Sequence, residues 1–372
     1  KAWYAEWEKR GYFRADVGSD RKPFTIVIPP PNVTGMLTLG HVLNNTLQDI
    51  LIRWEKMRGR EACWVPGTDH AGIATQAKVE KLLKDTENLS RYDLGREAFL
   101  ERVWQWKEQY GGKIIQQLRT IGTACDWERQ RFTLDPKLTE AVQEVFVRLY
   151  EKGLIYKGHR IINWCPKSRT ALSDEEVIYR EERGKLWHFR YPYADGSGHV
   201  VVATTRPETM LGDTAVAVHP EDPRYRDRIG QTVILPIVNR AIPIVADTFV
   251  DPAFGTGAVK VTPAHDPNDY ECGLRHGLPM LNVMNDDGTM NAAAGADFDG
   301  MDRYACRKAV VARMEALGLV AAIEEHVHQV GYSERGDVAV EPRLSEQWFV
   351  RMQALAAPAI AAVRDGRIRF HP

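Results

Sequence analysis

Phe24-Thr25-Ile26-Val27-Ile28-Pro29-Pro30-Pro31-Asn32-Val33-Thr34-Gly35-Met36-Leu37-Thr38-Leu39-Gly40-His41 is the stretch on which the fold turns. Its opening run, Phe24 to Ile28, is apolar and β-branched and predicts a buried strand. Pro29 to Pro31 end it, because proline offers no N–H to a ladder. After the loop Asn32 to Gly35, Val42, Leu43, Leu47, Ile50, Leu51, Trp54 and Met57 recur at helical spacing, up to a capping Gly59. Strand, tight loop and helix together form the opening of a nucleotide-binding α/β unit.

The loop carries its own chemistry. Backbone N–H groups at a helix start lack partners, and the helix dipole there favours anions. Gly40 lets a nucleotide approach the backbone, and His41 can donate to a phosphate or ring oxygen. On these residues alone, a tight turn with a surface histidine is an equal reading.

Working outward, Ala62 to Val65 predicts a second strand before Gly67-Thr68-Asp69-His70. Helical patterns follow at Arg96 to Gln109 and Leu138 to Lys152, which places residues up to about 150 in an α/β layer fold. After Gly184 the texture changes. Val200 to Ala203, Ala215 to Val218, Val233 to Val238, Ile242 to Val245 and Ala258 to Val261 are short β-rich runs between Gly, Pro and Asp. They predict a compact β domain with helices starting near Pro267 and running from Arg303 to Leu317.

Pro29-Pro30-Pro31-Asn32-Val33-Thr34-Gly35, with Leu37 and Gly40-His41 behind it, resembles the signature of class I aminoacyl-tRNA synthetases in the form carried by valyl enzymes. Trp64-Val65-Pro66-Gly67-Thr68-Asp69-His70-Ala71-Gly72-Ile73-Ala74-Thr75-Gln76 is similar to the same enzymes, and lesser similarity runs over the whole chain. The resemblance implies an α/β fold: a Rossmann-like nucleotide-binding half-domain with an inserted β-rich, β-barrel-like editing domain. It divides the chain into 1–159 (half of the catalytic domain), 160–185 (a connecting ribbon), 186–330 (the insertion) and 331–372 (the return ribbon and re-entry).

The resemblance also implies roles. Thr38, Gly40 and His41 would serve adenylate formation, and Gly40, His41 and Asn44 would hold ATP, with Mg, as substrate. Pro30, Asn32 and Asp69 would receive the α-amino group of valine. An aspartate in a loop can pair with an ammonium; the lesser alternative for Asp69 is a cap for the helix starting near His70. Thr38 departs from the family, which carries histidine there. A hydroxyl can donate to phosphate but cannot carry charge. The family's Lys-Met-Ser-Lys-Ser loop does not occur in these 372 residues. With Lys1 at one end and an expected strand, Arg367 to Phe370, at the other, the chain reads as part of a longer synthetase that makes valyl-adenylate only when whole.

A pocket shaped for valine cannot strongly refuse threonine. Valyl enzymes are the standard example of this limit, with discrimination on the order of 10². A second, polar, hydrolytic site solves the problem. Thr204-Thr205-Arg206-Pro207-Glu208-Thr209 and Gly255-Thr256-Gly257-Ala258-Val259-Lys260-Val261-Thr262-Pro263-Ala264-His265-Asp266-Pro267-Asn268-Asp269-Tyr270 resemble the editing insertion of valyl, isoleucyl and leucyl synthetases. Without that likeness, threonines on a strand express β-propensity. Asp266-Pro267 reads as an N-cap with proline at the first helical position, and Asp269 as an acid favoured by the dipole. With it, Asp269 would grip the α-ammonium of a misattached amino acid. Thr204, Thr205, Arg206, Thr209, Phe254, Lys260, Thr262 and Asp266 would line the pocket or meet the terminal adenosine, with Arg206 and Lys260 facing phosphate or ribose oxygens. No Ser-His-Asp or Cys-His pattern accompanies these segments. Hydrolysis is therefore expected to use a positioned water and hydroxyls.

Arg160 to Asp174 and Gly331 to Val350 resemble the ribbons that join insertion and body, on which the insertion would rotate as the tRNA end moves. Trp164 and Trp348 could face substrate there, but aromatics in such ribbons more often serve packing. Relatives with paired cysteines in the ribbons bind zinc. Here Cys165 stands with Ser168, Ser333 and Gly336, so no metal is expected. The five cysteines are odd in number and scattered, which suits reduced thiols and a cytoplasmic protein. No signal peptide is visible, and Ala354 to Val363 is too short to span a bilayer. A net charge of −1 rules out a generally basic surface, so contact with tRNA(Val) must rest on local patches. The expected partners are tRNA(Val), valine, and threonine as editing substrate, with the protein a monomer. The competing classes are a free-standing deacylase acting in trans, a non-catalytic tRNA-end or nucleotide-binding module, and an unrelated nucleotidyltransferase sharing only the Gly-His turn.

Overall fold

A computed structural model describes residues 2–334 and 336–371. It divides into two compact units, Lys1–Gly153 and Leu154–Pro372.

The first unit contains α1 (Ala2–Lys9), β1 (Pro23–Val27), α2 (Leu39–Met57), β2 (Glu61–Val65), β3 (Gly67–Thr68), α3 (Gly72–Glu87), α4 (Arg91–Leu94), α5 (Arg96–Ile121), β4 (Arg131–Phe132) and α6 (Pro136–Glu151). β1 and β2 pair in parallel, Phe24 opposite Ala62 and Val27 opposite Val65, with α2 as the crossover. Phe13, Ile28, Val33, Ile52, Trp64, Ile114 and Leu118 form the core beneath them. The helix expected to end at Gln109 continues through Gly111 and Gly112 to Ile121. A Cβ at Gly111 would sit 3.7 Å from Val33 Cγ1. There the helix passes close to the loop Asn32 to Gly35, and packing overrides the low helix propensity of the glycine pair. α5 also fixes that loop: Trp106 Nε1 donates to Val33 O at 2.7 Å, and Leu37 N–H donates to Gln117 Oε1 at 3.0 Å.

The second unit contains β5 (Ile155–Cys165), β6 (Thr170–Leu172), β7 (Val177–Pro192), β8 (His199–Thr204), β9 (Ala215–Val218), β10 (Thr232–Leu235), β11 (Arg240–Ala246), β12 (Ala258–Val261), α7 (Pro267–His276), α8 (Arg303–Ala316), β13 (Val320–Ser333), β14 (Glu341–Val350) and α9 (Met352–Arg364). Two sheets, β10-β11-β9-β12 and β13-β7-β8, surround a core that includes Phe189, Tyr191, Val202, Met210, Val216 and Leu235. A single Tyr193–Val233 bridge joins the ladders. Among the described residues they remain open sheets, so the architecture is mixed α/β rather than a closed barrel. The ribbon segments pair with each other, β14 against β5 and β13 against β7. The strand expected at Arg367 to Phe370 does not form. It has no ladder partner, and Ile368 N–H instead folds back onto Ala362 O at 2.9 Å.

Candidate functional sites

In the first unit, a cavity of about 470 Å³ is lined by Pro30, Asn32, Thr38, Gly40, His41 and Asn44, among others. These are the positions the sequence marks for nucleotide and amino acid, save Asp69. Thr38 takes the N-cap position of α2, so the free amides of the helix start open beside it. His41 Nδ1 accepts the Thr38 N–H at 3.1 Å and lies 2.8 Å from Thr38 Oγ1. With Nδ1 accepting, the ring N–H is at Nε2, which can donate to an anion. A Cβ at Gly40 would meet only Thr38 Oγ1, at 3.8 Å. The fold itself would tolerate a side chain there, so packing within the protein does not demand a glycine. Asp69 reaches the same loop through the backbone: its N–H donates to Pro31 O at 2.9 Å, and its carbonyl accepts Val33 N–H at 3.0 Å. It is not the N-cap of α3, a position held by Ala71 in left-handed conformation. Its Oδ1 instead accepts from Thr133 Oγ1 at 3.0 Å and from Ala71 N–H at 3.2 Å.

In the second unit, a cavity of about 360 Å³ is lined by Thr204, Thr205, Arg206, Thr209, Phe254, Lys260, Thr262, Asp266 and Asp269. They arrive from three directions. β8 ends at Thr204 and hands over to the turn Pro207–Gly212. A tight turn through Gly257, at φ +70, carries Phe254 to the start of β12. Asp266 then caps α7, accepting from Asn268 N–H and Asp269 N–H as its sequence predicts.

The floor is a buried charged cluster. Lys260 Nζ donates to Thr262 Oγ1 at 2.6 Å and Thr209 Oγ1 at 2.9 Å, and lies 3.4 Å from Asp213 Oδ1. Thr262 Oγ1 donates to Asp213 Oδ1 at 2.6 Å, and Tyr191 OH to Asp213 Oδ2 at 2.8 Å. Burial raises the Asp213 pKa, against the pull of Lys260. Burial and then Asp266 raise Asp269 to about 7, although it accepts Thr262 N–H at 2.8 Å.

Arg206 is likewise engaged. It pairs with Glu341 on β14, lies 3.5 Å from Glu208 and donates to His265 O at 3.0 Å. Arg303 Nε meets Glu341 at 3.0 Å, and Arg307 grips Glu208 at 2.7 and 2.9 Å. Burial pushes Glu208 up, but Arg307 and Arg206 outweigh it and hold its pKa below the usual range. The immediate partners of Lys260 and Arg206 are thus protein groups, where sequence reading set them toward phosphate or ribose. Asp213, Tyr191, Glu208, Glu341 and the cavity-lining His265, His326 and His328 escaped that reading. The only local hint was an acid, Asp213, inside an otherwise apolar run.

Two groups resemble metal sites. Cys165 lies with Ser168, Ser333 and Gly336: Ser168 N–H is 3.5 Å from Cys165 Sγ, and Gly336 N–H donates to Ser333 Oγ at 3.0 Å. A Cβ at Gly336 would come within 2.8 Å of Cys165 Sγ. These positions come together with a single thiol among them. Asp247, Cys272 and His276 place ligand atoms within 4.8 Å of one another. Asp247 Oδ2 already meets Arg275 at 2.9 Å and His276 at 3.1 Å, and burial pushes the Cys272 thiol up to about 12. Trp164 donates to Asp286 O at 2.7 Å beneath Arg343, and Trp348 is half exposed. No helix among the described residues is long and apolar enough to cross a membrane.

Residues 2–372 match the model of the family described as tRNA synthetases class I (I, L, M and V). The chain is 59% identical over 372 residues to a valine–tRNA ligase of Carboxydothermus hydrogenoformans, covering 100% of this chain and 42% of that protein. It is 59% identical over 373 residues to the valine–tRNA ligase of Geobacter sulfurreducens, with the same coverage. It is 58% identical over 370 residues to that of Geobacillus stearothermophilus, covering 99% of this chain and 42% of that protein. The chain therefore spans well under half the length of these relatives. A LeuRS-tRNA-LeuAMS ternary complex from Agrobacterium radiobacter K84 superposes loosely, with a TM-score of 0.42 and 20% identity, covering 91% of this chain and 48% of that one.

Proposed function

The chain belongs to the class I tRNA synthetases of the I, L, M and V group, and from that premise we propose that it carries half of a valine-activating domain and a hydrolytic domain that removes threonine from tRNA(Val). The observation that carries the hydrolytic half is convergence. Thr204, Thr205, Arg206, Thr209, Phe254, Lys260, Thr262, Asp266 and Asp269, distant in sequence, line one cavity.

In the activating half, the α2 amides, the open backbone at Gly40 and His41 receive the phosphates of ATP, brought with Mg as substrate. Asn44 supports the nucleotide. The Pro30 carbonyl, Asn32 and Asp69 take the valine ammonium. Thr38 supplies a hydroxyl where the family supplies histidine. Adenylate formation belongs to the whole cytoplasmic enzyme, with its lysine-rich loop and anticodon-reading domain.

In the hydrolytic half, Asp269 takes the α-ammonium of the misattached threonine, and the hydroxyls of Thr204, Thr205, Thr209 and Thr262 suit a polar side chain. Lys260 and Arg206 act here as braces that hold the walls rather than as phosphate ligands. Exposed Phe254 offers an aromatic face to the terminal adenosine. A neighbouring cavity of about 410 Å³ shares Thr205, Arg206, Asp266 and His328 with the first and gives the rest of the tRNA end a path. Water adds to the ester carbonyl, the bond to the ribose oxygen breaks, that oxygen takes a proton, and threonine leaves. The insertion is read as barrel-like, carried on the ribbons at 160–185 and 331–372, in a monomer.

The test is deacylation of threonyl-tRNA(Val) by the chain, beside Asp269→Ala. Hydrolysis by the parent sequence and its loss in the variant support the reading. An unchanged rate in the variant sinks it.

A further inference from the structure

His265 sits in the turn between β12 and α7, lines the hydrolytic cavity and is 1% exposed. Its surroundings fix it on every side but one. Its N–H donates to Thr262 O at 2.9 Å, and its carbonyl accepts from Arg206 Nη1 at 3.0 Å. Its ring Nε2 accepts the Val283 N–H at 3.0 Å. A nitrogen that accepts an amide hydrogen carries no proton, so the neutral ring carries its proton on Nδ1. Burial, then Arg206, Lys260 and Arg343, keep the ring neutral by driving its pKa well below the usual value. Nδ1 is buried and has no hydrogen-bond partner among the described residues. An orphaned buried donor is costly, and a functional role is one reason for a fold to retain it.

We propose that His265 is a catalytic residue of the hydrolytic site, its Nδ1–H donating to the carbonyl oxygen of the bound aminoacyl ester. The assignment rests on the reading of this cavity as a deacylase. As water oxygen bonds to the carbonyl carbon, the π pair moves onto the carbonyl oxygen, and Nδ1–H stabilises the charge that develops there. Collapse of the adduct breaks the bond to the ribose oxygen, which leaves with a proton derived from the attacking water. His265 keeps its own proton throughout. With Nε2 occupied by Val283, the ring is a fixed donor and not the general base. This also explains how a cavity without a Ser-His-Asp arrangement can contain a buried histidine that matters.

Two substitutions separate this role from a structural one. In His265→Gln the side-chain carbonyl can still accept Val283 N–H, but the Nδ1 donor is gone. In His265→Asn the amide N–H stands near the Nδ1 position, but the Val283 bond is lost. For threonyl-tRNA(Val) deacylation, Gln is expected to lower kcat by about 10²-fold with KM nearly unchanged, as for loss of an oxyanion donor. Asn is expected to stay within about tenfold of the parent rate while melting at a lower temperature than Gln. A Gln variant at the parent rate, or an Asn variant slower than Gln, overturns the assignment. Should Gln not fold, Asn alone decides: a loss of about 10²-fold refutes the donor role. Asp269→Ala run in parallel separates the two readings. If the parent does not hydrolyse the ester, or Asp269→Ala leaves its rate intact, the deacylase reading fails. If Asp269→Ala stops hydrolysis and His265→Gln does not slow it, only the role of His265 fails.

Discussion

Thr262 N–H donates to Asp269 Oδ2 at 2.8 Å, closing the end of β12 onto the first turn of α7. The bond holds the acid at the cavity wall, and the surrounding burial lifts its pKa from 3.8 to about 7. Well below pH 3.8 the carboxyl is protonated folded and unfolded, and the effect on stability is nil. Between pH 4 and 7 the unfolded chain releases the proton first, so this group lowers stability as pH rises, down to a plateau above 7. Asp269→Asn removes that loss. Against the parent, the variant is expected to gain on the order of 4 kcal/mol at pH 8 and almost nothing near pH 3, as read by calorimetry at the two pH values. Deacylation by the parent should rise through pH 7, because the ammonium needs the ionised acid. A pH-independent difference in stability would refute the buried titration.

Lys260 and Asp213 face each other in the floor, 9% and 0% exposed at their side chains. Breaking one member of a buried pair leaves the other charge uncompensated. Lys260→Met is expected to cost roughly 3–5 kcal/mol in urea unfolding. Adding Asp213→Asn should recover part of that cost. A double variant as unstable as the sum of its parts would show that the two groups do not couple.

How much of this was legible follows from how local each feature is. Asp266-Pro267 could be read as a cap because N-cap, proline and N3 acid are neighbours in sequence, and that cap forms. The loop Asn32 to Gly35 was legible for the same reason. Glu341 was not, because its meaning lies in Arg206, 135 residues away. His265 was hidden behind a bond to Val283, and Asp213 behind Lys260, each set by tertiary folding. Arg367 to Phe370 shows the converse error: a strand-like pattern without a neighbour forms no strand. Gly111-Gly112 misled in the other direction, since packing against Val33 carries α5 through a pair that local propensity would break.

Glu341 connects the return ribbon to Arg206 and Arg303. Glu341→Gln keeps the shape and removes the charge. It is expected to destabilise the second unit by roughly 3 kcal/mol and to slow deacylation, because Arg206 then no longer holds the His265 carbonyl in place. Urea unfolding and the deacylation rate check this together, and an unchanged rate with lowered stability would confine Glu341 to the fold.

Among the described residues, the segment around Cys165 offers zinc a single thiol. A structural site takes Cys or His at each corner, and here Cys165 has Ser168, Ser333 and Gly336 for company. Hydrogen bonds from Ser168 and Ser333 overcome burial and lower the Cys165 pKa, so the thiol is already served. Dialysis against a chelator is expected to leave the melting temperature unchanged, with elemental analysis below stoichiometric zinc. A melting temperature that falls on chelation would contradict this.

The resemblance to class I synthetases puts Thr38 where a histidine is expected, and its position accounts for how a threonine can serve there. As the N-cap of α2 it lies 2.8 Å from His41 Nδ1 through Oγ1, and its N–H reaches the same nitrogen at 3.1 Å. The hydroxyl thus belongs to the helix start and to the setting of His41. Thr38→His brings a larger donor to the phosphates but gives up a good capping residue, at a cost of about 1 kcal/mol. In the full-length enzyme, valine-dependent ATP–pyrophosphate exchange is expected to change by less than about tenfold, since a second donor is gained as the cap is weakened. Complete loss of exchange, with the variant folded by circular dichroism, would mean that the loop holds the triphosphate in another way and that His41 is not poised by its neighbour.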